Sequence, residues 1–126
     1  MIEASCHCGA VRLALARPPD ELTECNCSIC RRLGALWAYY DPWEVTVSAA
    51  DDALGGYIRE QRMLRFCHCR HCGCTTHWEA FDPEVRRMGV NARLLDPDIL
   101  DDAHIRHIDG ADTWEYLDED PLRPDS

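Results

Sequence analysis

Lysine is absent from this 126-residue chain. All 13 basic residues are arginine, set against 23 acidic ones for a formal charge of −10. So little positive charge leaves no basic face for a phosphate backbone, and nucleic acid is not an expected partner. Long apolar runs are missing too. The longest, near residues 33–40, falls far short of the ~20 residues a membrane-spanning helix needs, so no membrane association is expected. The start of the chain has neither the basic residues nor the apolar stretch of a secretory leader before Cys6. The expected location is therefore the cytoplasm, where thiols stay reduced. No internal repeat and no sign of a second domain are visible. One domain is expected over residues 1–117, with an acidic, proline-containing tail over 118–126 that should fray.

Cysteine, by contrast, is abundant. There are nine, an odd number, clustered at short spacings. In a reducing compartment such clusters read as metal ligands before they read as disulfides. Four of the nine fall within eight residues, in Phe66-Cys67-His68-Cys69-Arg70-His71-Cys72-Gly73-Cys74. Inside that stretch, Cys69-x-x-Cys72-Gly73 lets two thiolates from one tight turn reach a single tetrahedral metal, with the glycine folding the backbone back. Two thiolates rarely close such a site alone. Cys6-His7-Cys8 and Cys25-Asn26-Cys27-Ser28-Ile29-Cys30 are the candidates to complete it.

Period-two alternation predicts short strands around these clusters. Strands are expected at residues 2–5 and 11–15, making a hairpin with Cys6 and Cys8 at its tip. Others are expected at 36–40, 43–47, 57–66, 75–80, 87–95 and 104–108. The strands at 57–66 and 75–80 form a second hairpin with Cys69 and Cys72 at its tip. Ser28 is placed to cap a helical turn through Arg32, stopped by Gly34. Residues 51–56, ending in Gly55-Gly56, read as a loop. Asp96-Pro97 opens another helical turn, and Asp109-Gly110 is a turn after the last strand. Trp114, Tyr116 and Leu117 are expected to pack the closing segment. Trp37, Trp43, Trp78 and Trp114 read as core.

The two hairpin tips together offer Cys6, Cys8, Cys69 and Cys72 as a four-thiolate structural zinc site. Structural zinc supplies ~10–16 kcal/mol in small peptides, comparable with the ~5–15 kcal/mol net stability of a whole domain. Cys25, Cys27 and Cys30 form a second set. Three protein ligands leave one position open, as in catalytic zinc sites. His7, His77 and Cys74 are the candidates to fill it. A different pairing, Cys25, Cys27 and Cys30 with Cys69 and Cys72, remains open on spacing alone. Cys67, which is close enough to exchange into the first site, and Cys74 read as packing residues. His68 and His71 read as solvated or as supporting the ligands, and His77, His104 and His107 as ordinary structural histidines. Arg31 and Arg32, directly after Cys30, are candidates to pair with the carboxylates of an anionic thiol.

Three segments now carry a family resemblance: Ser5-Cys6-His7-Cys8-Gly9-Ala10-Val11, Cys25-Asn26-Cys27-Ser28-Ile29-Cys30-Arg31-Arg32 and Cys69-Arg70-His71-Cys72-Gly73. In this order they resemble the signatures of the glutathione-dependent formaldehyde-activating enzyme family, a group that includes the centromere protein V domain. Val90-Asn91-Ala92-Arg93 and Asp109-Gly110-Ala111-Asp112-Thr113-Trp114 are similar to a bacterial subgroup. The chain departs from the pattern at His68, which stands where an aromatic residue usually precedes the Cys-x-x-Cys pair. The resemblance implies an all-β fold of the β-tent type, built from short antiparallel sheets and hairpins joined at zinc. It implies two zinc ions, one structural on Cys6, Cys8, Cys69 and Cys72, and one functional on Cys25, Cys27 and Cys30. It also implies glutathione and formaldehyde as small-molecule partners and carbon–sulfur lyase activity. A non-catalytic zinc module that binds a partner protein, and a thiol- or redox-responsive zinc protein, are the other functions the residues allow.

Overall fold

The computed structural model describes residues 2–59 and 63–118. Among the described residues the fold is nearly all-β, with ten short strands in two sheets and one single-turn α-helix. Strands β1 (Ile2–Ser5) and β2 (Val11–Leu15) form the expected first hairpin. In β2 the alternation is physical: Val11, Leu13 and Leu15 are buried while Arg12 faces solvent. With β5 (Val45–Ala49) they make a three-stranded antiparallel sheet.

The second sheet has seven strands. Its members are β3 (Glu21–Cys25), β4 (Trp37–Tyr40), β6 (Leu54–Ile58), β7 (Leu64–Cys69), β8 (Thr75–Ala80), β9 (Met88–Asn91) and β10 (His104–Ile108), in the order β10-β3-β4-β9-β8-β7-β6. All neighbours are antiparallel except β10 and β3, which run parallel from His104↔Glu21 to Ile108↔Cys25. That exception positions the chemistry. In a parallel pair both strands end on the same side, so the loop after Cys25 and the loop after Ile108 meet. Asn26 accepts the Ala111 N–H at 3.0 Å and donates to Asp109 at 3.1 Å, tying the two loops together.

The core divides in two. One cluster holds Leu13, Leu15, Leu22 and Val90 together with Cys6 and Cys69. The other holds Trp37, Phe66 and Trp78 with Cys25, Cys27 and Cys30. Each cysteine cluster is thus set in its own apolar bed.

Several local expectations are corrected. Residues 51–56 are not all loop, because Leu54, Gly55 and Gly56 belong to β6. The glycines serve close approach here rather than a turn. A Cβ on Gly55 would lie 2.8 Å from the His68 ring, and one on Gly56 would run into the Arg65 side chain. The single strand expected at 57–66 is therefore two, β6 and β7, and its middle, residues 60–62, lies outside the described residues. Residues 21–25, given no structure from sequence, are β3. Ser28 does not cap the helix α1 (Cys30–Leu33). Ile29 occupies the cap position with no side-chain bond, while Gly34 ends the helix in the left-handed conformation (φ 65°). The strand expected at 43–47 begins only at Val45, after a 3-10 turn over Pro42–Glu44. The strand expected at 87–95 stops at Asn91 and gives way to a 3-10 turn over Ala92–Leu94. Trp43 and Trp114 are not core: they are 67% and 63% exposed. In the closing segment Tyr116 stacks under Arg106 and bridges to Ile108, whereas Leu117 is exposed. Of the tail, Asp118 is tied to His107, and residues 119–126 lie outside the described residues. Among the described residues no helix is long and apolar enough to cross a membrane.

Candidate metal centres

All nine cysteines are free thiols, and seven of them gather in two groups. The sulfurs of Cys6, Cys8, Cys69 and Cys72 lie within 4.8 Å of one another. The β1–β2 and β7–β8 hairpin tips supply two each. Cys6 to Cys8 is 3.7 Å and Cys8 to Cys69 is 3.6 Å. Four sulfurs at ~2.3 Å around a tetrahedral zinc ion would stand ~3.8 Å apart, so the spacing fits that ion. Backbone donors point at the sulfurs: Val11 N–H to Cys6 at 3.3 Å and His71 N–H to Cys69 at 3.4 Å. Gly73, with φ 83°, lets the knuckle close.

The electrostatics favour a cation at the centre. Backbone N–H groups of Cys74 and Cys8 hold Cys72 down at about 5. The Ala10 N–H also pulls Cys8 down, but desolvation and the thiols of Cys69, Cys6 and Cys72 outweigh it and push Cys8 up to about 12. Without a metal the cluster supports a thiolate only if its neighbours keep their protons. A dication removes that conflict, and this is the chemistry of a ligand set.

Cys25, Cys27 and Cys30 form the second group, each at least 93% buried. The Cys27 N–H points to Cys25 sulfur at 3.5 Å, the Cys30 N–H to Cys27 sulfur at 3.4 Å, and the Trp37 indole N–H to Cys30 sulfur at 3.4 Å. Hydrogen bonding with Cys30 is the main force lowering Cys25 to about 6, and the same contact raises Cys30. Again one thiolate is shared across the group. The donor set therefore suits zinc, with three sulfurs in place. Among the described residues no further Cys, His, Asp or Glu joins it. The residues named from sequence as possible fourth ligands lie elsewhere. Cys74 interacts with Cys72 and the His7 backbone at the first cluster, His7 is exposed, and His77 groups with Cys67 and Glu79. Pairing of the trio with Cys69 and Cys72 is not the grouping found.

Cys27 opens onto a cavity of about 680 Å³, within the size range of small-molecule sites. Arg31 lines it. Arg32 does not: its guanidinium turns back to donate to the Ser28 carbonyl at 2.8 Å. Among the lining residues not singled out from sequence as binding residues, three matter most. Arg59 arrives from the end of β6, and Gly110 and Trp114 come from the loop after β10. A Cβ on Gly110 would lie 2.5 Å from Cys25 sulfur, so only glycine lets that loop press against the cluster. Trp114 holds a left-handed backbone (φ 61°), costly for so bulky a residue. Its N–H bond to the Asp109 carbonyl at 2.7 Å helps hold it there. The sequence signal for both was the segment from Asp109 to Trp114, whose role depends on the parallel strand pair.

Comparison with known proteins agrees with this geometry. Residues 1–107 match the model of the family described as glutathione-dependent formaldehyde-activating enzyme. A protein of Halomonas elongata, provisionally named a glutathione-dependent formaldehyde-activating enzyme, is 52% identical over 40 residues, 31% of this chain. That match spans 26% of the relative's own length. A crystal structure of a Rhodobacter sphaeroides protein superposes with a TM-score of 0.67 at 30% identity, covering 82% of this chain and 99% of that one.

Proposed function

Because the chain belongs to the glutathione-dependent formaldehyde-activating enzyme family, we propose that it joins glutathione, or a similar thiol, to formaldehyde or another small aldehyde. The product is an S-hydroxymethyl thiol, and the reverse reaction is carbon–sulfur cleavage of the lyase type. The observation that carries this reading is a three-sulfur cluster, joined by no fourth ligand among the described residues, next to a cavity lined by two arginines.

Cys25, Cys27 and Cys30 would hold the functional zinc, and Cys6, Cys8, Cys69 and Cys72 the structural one. When bound at the trio, zinc supplies a positive charge that favours the thiolate form of an incoming thiol and stabilises oxygen anions. The chain's own residues do the rest. Arg31 and Arg59 are placed to pair with the carboxylates of glutathione, fixing its sulfur end near Cys27. Trp114 and Phe66 wall the cavity and keep water from the reacting atoms. The Trp37 indole N–H holds the Cys30 sulfur in place. In the addition, a sulfur–carbon bond forms, the carbonyl π bond breaks and the thiol proton ends on the new hydroxyl.

Calorimetric titration with glutathione tests the reading. Binding is expected only when the trio is loaded with zinc, and is absent in Cys27→Ala. Arg31→Ala should weaken it by about 10- to 100-fold, the worth of a charge-assisted hydrogen bond at ~1.5–3 kcal/mol. A wild-type protein that holds zinc on Cys25, Cys27 and Cys30 and shows no heat with glutathione overturns the proposal.

A further inference from the structure

Cys67, His77 and Glu79 belong to neither cysteine cluster, yet their sulfur, nitrogen and oxygen atoms converge within 4.8 Å of one another. The strand pairing brings them together. Cys67 on β7 lies opposite His77 on β8, and Glu79 follows two residues on, on the same face. Cys67 sulfur is 3.5 Å from one Glu79 oxygen, and His77 Nε2 is 4.0 Å from the other. Cys67 and His77 are fully buried, while the Glu79 side chain is 48% exposed.

Hydrogen bonds engage one side of the His77 ring. The Thr76 hydroxyl lies 3.3 Å from the Cys67 carbonyl and 2.8 Å from His77 Nδ1. Nε2 has no hydrogen-bond partner despite full burial. A buried polar atom without a partner is destabilising. Here it faces a thiol and a carboxylate. With the proton on Nδ1, donated to the Thr76 oxygen, the Nε2 lone pair is free for a cation. An imidazole whose far nitrogen is fixed by a hydrogen bond, with the near one aimed at other ligand atoms, is the arrangement of a metal-binding histidine.

We propose that Cys67, His77 and Glu79 form a third, separate site for a borderline divalent cation such as zinc. One sulfur, one imidazole and one carboxylate are all zinc ligands, whereas magnesium and calcium prefer oxygen alone. Around zinc the donor atoms would stand about 3.3–3.6 Å apart. The three groups already lie within 4.8 Å of one another, and the half-exposed Glu79 has the freedom to close the remaining gap. The thiolate and carboxylate neutralise the dication. Arg65, which pairs with the Glu79 oxygen nearest Cys67 at 3.3 Å, leaves the oxygen facing His77 to the metal. Three protein ligands leave a fourth position on the exposed side for water. The site stands apart from the thiol reading of the trio, and neither requires the other.

The test counts zinc equivalents on metal-stripped, reduced full-length protein titrated against a chromophoric chelator. Wild type should bind three, the third more weakly because only one thiolate holds it. His77→Gln and Glu79→Gln should each bind two. Glu79 is on the surface, so Glu79→Gln keeps the fold even where the buried His77 variant does not, and thermal unfolding of the metal-loaded proteins checks this. With two zinc equivalents in place, one equivalent of cobalt(II) should give a sulfur-to-cobalt charge-transfer band that is lost in Cys67→Ser. A wild type that saturates at two equivalents, or a third equivalent kept in Glu79→Gln, overturns the proposal. No thiol substrate enters the assay, so its outcome is independent of the glutathione experiment.

Discussion

Gly110→Ala is the smallest change that should separate the two proposed zinc sites. Gly110 is buried, and its backbone is outside the left-handed region, so contact alone decides the outcome. The added methyl carbon would stand 2.5 Å from Cys25 sulfur, 3.2 Å from Cys27 Cβ and 3.2 Å from the Trp114 ring. Unstrained contact needs about 3.5 Å or more, so either the sulfur or the loop must move by about 1 Å. The loop is anchored on both sides, by Asn26 to Asp109 and Ala111 and by the β3–β10 pair. Cys25, at the end of its strand, is the part that yields. Metal–ligand distances tolerate only ~0.2 Å, about a fifth of that displacement. The expected result is a folded protein, destabilised by ~1–3 kcal/mol through overpacking. Its second-zinc affinity should fall at least 10- to 100-fold, equivalent to ~1.4–2.7 kcal/mol. The first zinc should be unaffected. Competitive zinc titration, with thermal unfolding in parallel, reads both quantities. A Gly110→Ala protein whose Cys25, Cys27 and Cys30 site binds zinc with wild-type affinity would refute the claim that this loop sets the position of Cys25.

The remaining predictions concern the same division of labour. Cys6→Ala opens the four-sulfur cluster inside the main core and should cost much of the ~10–16 kcal/mol that structural zinc supplies, leaving no cooperative thermal transition. Cys27→Ala should fold and lose only the second metal, and the reverse pattern in metal content and circular dichroism would overturn the assignment. Trp37→Phe keeps an aromatic ring beside Phe66 but deletes the N–H aimed at Cys30 sulfur; second-zinc affinity should drop by about tenfold with the first unchanged. The closing segment should show a pH window. His107 is raised above 6.5, chiefly by its hydrogen bond to Asp118 at 2.6 Å, so its contribution is full below pH 6.5 and is lost as pH rises through its folded value. Asp118 is depressed below 3.8, chiefly by His107, so its contribution is full above pH 3.8 and is lost as pH falls through its folded value. Exchange protection of the Leu117 amide, which bonds the His107 carbonyl, should therefore be greatest between pH 3.8 and 6.5. It should become flat with pH in His107→Ala.

Local chemistry was legible in the sequence; non-local pairing was not. Cys6, Cys8, Cys69 and Cys72 could be grouped because each pair sits at a hairpin tip defined by alternation in its own strands. Gly55-Gly56 was misread because a glycine pair signals a turn unless the side chains crossing it, His68 and Arg65, are known. Trp114 looked like core because bulky aromatics usually are, and the bonds that turn it outward come from Asp109. Cys67 and His77 looked like fillers because buried positions in strands normally are. Their grouping with Glu79 appears only when β7 and β8 are paired.

The parallel pairing of β3 with β10 explains why, among the described residues, no carboxylate joins the trio on an acidic chain. A carboxylate near a three-sulfur zinc site would readily become its fourth ligand, and the loop that reaches the trio carries Asp109. Both oxygens of Asp109 are already engaged. One accepts from Asn26 at 3.1 Å, and the other from the Thr113 N–H and hydroxyl at 3.3 and 3.1 Å. Those bonds, Asn26 first, hold its carboxyl below the usual range. The next residue, against Cys25, is glycine and offers no side chain. Asn26 therefore has two jobs, fixing the loop against the cluster and occupying the acid that would otherwise close it. The cavity lined by Arg31 and Arg59 lies beside the trio.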